Sequence, residues 1–123
     1  MAEASYPLFL VDRDDHLVLV KTDPDLDSAL ELVDVEDDEY HGWDSEGRPI
    51  NMGIRDGRIA VNVINDEDQT GRVREAIVKY ANLLWPDSPF EDDDLSCPLI
   101  ELHNKCMSHL KKMPFWRKTR LRF

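Results

Sequence analysis

Short apolar runs and alternating apolar and polar positions fill the first half of the chain. "YPLFLV" and "HLVLVK" have the length of strands and flank the polar "DRDD", so residues 7–12 and 16–21 are predicted to form a hairpin. "EYHGW" and "RPINMGI" flank "DSEG", where Asp44 can open a type I turn and Gly47 can adopt the left-handed conformation that ends it. These two segments predict a second hairpin.

A fifth strand is predicted directly after Asp56 and Gly57, a pair that is typical of tight hairpin turns. In the "RIAVNVI" segment beyond this turn, alternate residues share one apolar face, namely Ile59, Val61 and Val63. The first half of the chain therefore predicts five antiparallel strands.

A short amphipathic helix is predicted between the two hairpins, over residues 24–33. Asp23 suits the N-cap and Pro24 the first helical position, and acidic residues follow where the helix dipole favours them. The predicted buried stripe consists of Leu26, Ala29, Leu30 and Val33. The acidic run "VEDDEY" comes next along the chain.

From Asn65 onward the apolar positions recur with helical spacing. "NDEDQ" supplies a cap and an acidic first turn, although Gly71 disfavours helix and shifts the firm start to about Arg72. The predicted buried positions are Val73, Ile77, Tyr80, Ala81 and Leu84. After an acidic loop, Ser96 suits the cap of a last helix that Pro114 ends. Its predicted buried positions are Leu99, Leu102, Cys106, Met107 and Leu110.

The C-terminal "PFWRKTRLRF" alternates apolar and cationic residues, which is a strand pattern. We expect it to dock on the domain as an added edge strand, in preference to a role as a basic arm that binds nucleic acid or membranes. Strands and helices are segregated along the chain, which favours a single α+β domain over residues 1–123. We predict an antiparallel sheet of about five strands, with the tail as a candidate sixth, and about three helices packed mainly on one face.

The charge balance narrows the choice of partner. The chain has twenty-six acidic residues and fifteen Lys and Arg, which give a net charge of -11. Six of the Lys and Arg lie in residues 111–123. Residues 1–110 therefore carry a net charge of -17, which repels nucleic acid and anionic membranes and favours a basic protein partner. No apolar run approaches the roughly 20 residues of a membrane span, and "MAEASYP" lacks the regions of a signal peptide. A cytoplasmic protein is expected.

No catalytic motif is present. The chain has no Gly-rich phosphate loop, no G-x-S-x-G and no H-E-x-x-H, and its carboxylate runs are more typical of solvated loops or partner-facing surfaces than of acid–base sites. Cys97 lies near a predicted helix start, where a thiolate is favoured, and Cys106 lies between His103 and His109 at a spacing that could offer zinc ligands. Burial as small apolar residues is the preferred interpretation of both cysteines, so no cofactor or metal is predicted. The two thiols would lie roughly 13 Å apart along one helix, too far to bridge, which fits a reducing compartment.

Over roughly residues 8–64 the chain shows an early hairpin, a short helix, and "ALELVDVEDDEY" leading into "WDSEGRPI". In these features it resembles small acidic immunity proteins encoded beside bacterial polymorphic toxins, many of which have an Ala-Leu helix, an Asp-Val-Glu step, an aromatic strand and an Asp-x-x-Gly turn in this order. The matching residues are Ala29, Leu30, Asp34, Val35, Glu36, Tyr40, Asp44 and Gly47.

The resemblance implies a non-enzymatic inhibitor that binds a cognate toxin domain. An acidic surface complements the basic cleft of a toxin that attacks nucleic acid or nucleotides, and aromatic residues within it can act as binding anchors. The predicted partner-binding residues are Asp34, Glu36, Asp37, Asp38, Glu39, Tyr40 and Trp43. Two alternatives remain open: an adaptor that binds another basic protein, and a small enzyme that uses Cys97 or a carboxylate.

Overall fold

A computed structural model describes residues 3–36, 39–86 and 90–111 of the chain. Within these residues a five-stranded antiparallel sheet has the strand order β2-β1-β3-β4-β5. The strands are β1 (Leu8–Val11), β2 (Leu17–Val20), β3 (His41–Trp43), β4 (Pro49–Arg55) and β5 (Arg58–Val63). The α+β prediction is confirmed. The predicted C-terminal strand lies outside the described residues.

The turns between strands follow the predicted chemistry. At the β3–β4 turn the Gly47 amide donates to the Asp44 carbonyl at 3.0 Å, and Gly47 has a φ of +78°. At the β4–β5 turn Asp56 and Gly57 both have positive φ, 53° and 75°, which is the type I′ geometry that matches the twist of the flanking strands. The β3 strand must also lie very close to β1, because a Cβ atom on Gly42 would be only 2.3 Å from the Phe9 carbonyl oxygen.

The sheet is covered on both faces, unequally. Helices α3 (Thr70–Leu84) and α4 (Leu99–Lys111) cover one face, where Phe9 and Val11 of β1 enter the core. The short helices α1 (Leu26–Ala29) and α2 (Leu32–Glu36) lie on the other face, against Leu8 and Leu10. Since α3 and α4 are much the longer helices, helical packing is mainly on one face, as predicted.

The predicted continuous helix over residues 24–33 is wrong. A 3-10 turn (Asp23–Asp25) leads into α1, the chain is extended at Leu30, and α2 begins at Leu32. On one continuous helix Leu26 and Val35 would lie nine residues apart, about 180° around the axis. The break at Leu30 lets Leu26, Leu30 and Val35 all face the sheet, with 5% or less of each exposed. Ala29, which was predicted to be buried, is exposed, and the side chain of Val33 lies outside the described part.

Two helix starts also differ from prediction. Helix α3 begins at Thr70, whose amide donates to the Asp68 carboxylate at 2.9 Å, and its first turn contains no acidic residue. Helix α4 begins at Leu99 rather than beside Ser96, whose hydroxyl bonds the Asp94 carboxylate at 2.5 Å instead. Proline at position 98 explains the later start, because it is well suited to the helix entry and its carbonyl accepts from the Leu102 amide at 3.0 Å. In the part of the chain that is described, no helix has both the length and the hydrophobicity needed to cross a bilayer.

Candidate partner-binding surface

The charges of four carboxylates act on Tyr40, which directly precedes β3. They come from different elements: the end of β1, the α1–α2 junction, α2 itself and the segment before β3. Burial raises the pKa of the Tyr40 phenol, and the negative charges of these four groups raise it further. We call this set the acidic patch; its members are Asp12, Glu31, Asp34 and Glu39.

Local hydrogen bonds hold the patch in place. One carboxylate oxygen of Asp12 accepts from the amides of Asp14 at 2.8 Å and His16 at 3.0 Å, so this charge is fixed by its own turn. The amide of Glu39 donates to the Asp34 carbonyl at 3.1 Å, which ties the segment before β3 to α2. Since α2 is anchored on β4 through the buried side chain of Val35, the patch is built on the sheet rather than on a free loop.

Arg13 neutralises the patch only in part. Its guanidinium lies 3.8 Å from the Glu39 carboxylate, while the His16 ring lies 3.5 Å from Asp12 and carries a positive charge only when it is protonated. The Arg13 side chain is 63% exposed, so solvent screens its pair with Glu39, and such pairs contribute little to stability. Part of the net charge of -17 over residues 1–110 is therefore concentrated in the acidic patch, around the half-buried side chain of Tyr40.

The predicted site residues are only partly brought together. Asp34, Glu39 and Tyr40 are neighbours, whereas the Glu36 side chain and residues 37 and 38 (Asp37 and Asp38) lie outside the described part. Tyr40 packs on the α1–α2 side of the sheet, and Trp43 belongs to the core on the α3–α4 side. Trp43 is 7% exposed, and its indole N–H donates to the Gln69 side chain at 2.8 Å. The two aromatic residues therefore face opposite sides of the sheet.

The exposed edge of Trp43 lines a separate groove of about 450 Å³ between α3 and strands β3 and β4. His41 packs edge-on against Trp43 with ring centroids 5.6 Å apart, and Arg72 and Lys79 border the groove from α3. Lys79 is paired with Asp15 at 3.2 Å. Since both signs of charge line this groove, it does not extend the acidic patch.

Sequence reasoning missed Asp12 and Glu31 as members of the patch. Asp12 was assigned to a turn in "DRDD", far from the acidic run in sequence, and Glu31, three residues before Asp34, was assigned to the predicted helix over residues 24–33. Asp12 joins the patch through the antiparallel pairing of β1 with β3, which places Val11, next to Asp12, opposite His41, next to Tyr40. That pairing is a tertiary contact which the local pattern does not specify.

The cysteines belong to packed regions. Arg74 of α3 is 6% exposed and holds the 90–97 segment. It donates to both carboxylate oxygens of Asp92, at 2.7 and 2.5 Å. It also donates to the carbonyls of Asp94 and Cys97, at 2.7 and 2.6 Å. The Cys97 sulfur lies 3.4 Å from the same guanidinium. The bidentate bond to Asp92 is the largest cause of the raised pKa of Arg74.

Cys106 is fully buried, and burial raises the pKa of its thiol to about 11. Burial likewise lowers the pKa of His103, and the centroid of the His109 ring lies 5.8 Å from the ring centroids of both Trp85 and Phe90. Among residues 3–36, 39–86 and 90–111, no group of three or more His, Cys, Asp or Glu side chains is arranged to hold a metal ion.

Comparison with known proteins assigns no family. No family model matches this chain, and neither a curated protein nor a solved structure is significantly similar to it. The resemblance to immunity proteins over residues 8–64 therefore stays a prediction.

Proposed function

We propose that this protein is a non-enzymatic immunity protein that binds and neutralises a cognate bacterial toxin domain through the acidic patch. The observation that carries the proposal is geometric: the pairing of Val11 with His41 brings Asp12 to the start of β3, and the bond from the Glu39 amide to the Asp34 carbonyl holds these two residues there beside Tyr40. The charges of Asp12, Asp34, Glu39 and Glu31 accordingly raise the pKa of Tyr40. Like charges repel one another, so their concentration around one half-buried ring lowers the stability of the free protein. A partner that binds the patch gives this arrangement a function. A basic protein surface is the partner that this arrangement complements.

The patch would act in two ways on such a partner. Its field attracts a basic cleft at long range and raises the association rate, which is the usual effect of charge complementarity at an interface. Tyr40 offers a rigid aromatic anchor at the centre of that field, and tyrosine is enriched among the residues that dominate binding energy. A toxin whose cleft binds nucleic acid or nucleotides has the required basic surface, and occupation of that cleft would exclude its substrate.

Charge reversal at the patch tests the proposal. The variant Glu31→Lys/Glu39→Lys should bind the toxin domain encoded in the adjacent reading frame with an association rate about tenfold lower at low salt, with a smaller change in the dissociation rate. The matched control, Glu67→Lys/Glu101→Lys, makes the same change in net charge at two exposed residues away from the patch.

Both variants should be assayed by surface plasmon resonance across a salt series and by protection of cells that express the toxin. Equal association rates for the two variants at low salt would show that the patch is only a solvated surface. Binding without protection would instead support the adaptor function, because an immunity protein must neutralise the toxin that it binds.

A further inference from the structure

The β5 strand is an edge of the sheet with unused backbone groups. The flanking positions of the two-residue β4–β5 turn, Arg55 and Arg58, are paired, and the Ile64 amide donates to the Pro49 carbonyl at 2.9 Å. Backbone hydrogen bonds to the partner strand alternate along an antiparallel pair. The residues of β5 whose amide and carbonyl groups point away from β4 are therefore Ile59, Val61 and Val63.

One end of this edge is already occupied. The Ile59 amide donates to the Asp27 carboxylate at 3.4 Å, and Arg58 pairs with the same carboxylate at 3.1 Å. The outward amide and carbonyl groups of Val61 and Val63 have no hydrogen-bond partner among the described residues. Such a row of unpaired groups is a template for pairing with another strand, unless charges or proline block it, and β5 has neither between Ile59 and Val63.

We infer that β5 pairs antiparallel with β5 of a second copy of this chain, in the register that places Asn62 opposite Asn62. In this register Val61 of each copy exchanges backbone hydrogen bonds with Val63 of the other, about four bonds in all. The two sheets then form one continuous sheet. This surface goes beyond the proposed function, since β3 and β4 lie between β5 and the β1 strand, which Asp12 directly follows.

The charges of the edge fit this register. It directs Arg58 of one copy toward the acidic segment that begins at Asp66, three residues beyond the end of β5 in the other copy, on both sides of the two-fold axis. The present partners of these residues, Asp27 and Arg48, form ion pairs with exposed members, which exchange at little cost. The alternative register, which places Val61 opposite Val61 of the second copy, is less favourable. It requires the Ile59 amide to bond the second copy, although this amide already donates to Asp27.

Side chains on the open face of β5 support the same register. Asn62 is exposed and would meet its counterpart at the short distance of a non-hydrogen-bonded pair, where the two amides can bond one another. Ile64, which is 58% exposed, would pack on Ala60 of the second copy. The net charge of -11 per chain opposes association at long range, so dimerisation should be measured at physiological or higher salt.

Disulfide trapping of the full chain tests the register. An Asn62→Cys pair would lie about 4.5 Å apart between Cα atoms, within the range that a disulfide spans, and should give a covalent dimer on mild oxidation. Ala60→Cys is the matched control: it lies on the same face, but opposite Ile64 and far from its counterpart, and should give no covalent dimer. The native thiols of Cys97 and Cys106 are buried and do not interfere. Equal cross-linking of the two variants would overturn the proposal.

Sedimentation equilibrium measures the association without a cross-link. The wild-type chain should show a monomer–dimer equilibrium in the micromolar to millimolar range, and Val61→Thr should behave alike. Val61→Pro should lose the dimer, since it removes an outward amide while the ladder to β4 stays intact. A wild-type chain that stays monomeric throughout the range would overturn the proposal. If the proline variant does not fold, the two cysteine variants decide.

Discussion

Replacement of the buried carboxylate of Asp44 by an amide should destabilise the protein strongly. Asp44 is fully buried, and its oxygens accept five hydrogen bonds: from the amides of Ser5, Glu46 and Arg48, and twice from the Arg48 guanidinium. In Asp44→Asn the new NH₂ group must replace one oxygen. If it takes the place of Oδ2, it faces the guanidinium and the Ser5 amide, so donors meet donors. Because Arg48 is itself partly exposed, we expect a cost of about 3 kcal/mol, the lower end of the range for a broken buried ion pair and still a large part of the roughly 5 to 15 kcal/mol that stabilises a domain.

The pH dependence of this penalty has a definite sign. Burial alone would raise the pKa of Asp44, but the Arg48 side chain and the three backbone amides outweigh it, so the pKa lies below its usual value of 3.8. The unfolded chain therefore binds the proton more readily than the folded one. The stabilisation is fully present above the unfolded pKa and is lost as the pH falls through the folded pKa. The difference between wild type and Asp44→Asn should be constant from about pH 5 to 8 and shrink below about pH 4.

Urea denaturation followed by circular dichroism across this pH range measures the difference. Glu46→Gln is the matched control, because Glu46 also pairs with Arg48, at 2.9 Å, but is 59% exposed and should change stability by no more than about 0.5 kcal/mol. Similar losses for the two variants, or a penalty for Asp44→Asn below about 1 kcal/mol, would refute the view that this carboxylate holds the turn.

Three further outcomes are expected. Arg74→Met should lower the melting temperature by several degrees and make the Cys97 thiol more reactive toward a disulfide reagent, since Asp92 and the 90–97 segment lose their anchor; unchanged thiol reactivity would contradict this. Replacement of Cys97 and Cys106 by Ala should leave partner binding intact with a modest stability loss, as judged by calorimetry; stoichiometric zinc that disappears together with binding in the double variant would contradict it. Truncation after Met113 should lower thermal stability and solubility; an unchanged melting temperature with lost affinity for RNA or anionic vesicles would instead indicate a binding arm.

Much of the sheet could be predicted because its information is local. The Asp56–Gly57 pair requires two positive φ angles, which few sequences tolerate, and this pins the β4–β5 register. Alternation likewise predicted that Ile59, Val61 and Val63 share a face, and they pack against the same core. The spacing of buried positions predicted α3 and α4 in the same way, although their starts were displaced by a few residues.

Tertiary structure alone decided where the helical segment after β2 is interrupted and which charged residues become neighbours. Residues 24–33 carry a helical pattern, yet the chain is extended at Leu30 and a second helix begins at Leu32, so that Leu26, Leu30 and Val35 all pack against one sheet. No local propensity encodes that arrangement. The sequence pattern predicts that Arg74 is an exposed helix residue. It is buried instead by the 90–97 segment, whose Asp92 lies eighteen residues further along the chain. The acidic run indicated a charged surface, but its union with Asp12 around Tyr40 depends on the pairing of β1 with β3, because charges far apart in sequence become neighbours only when strands align.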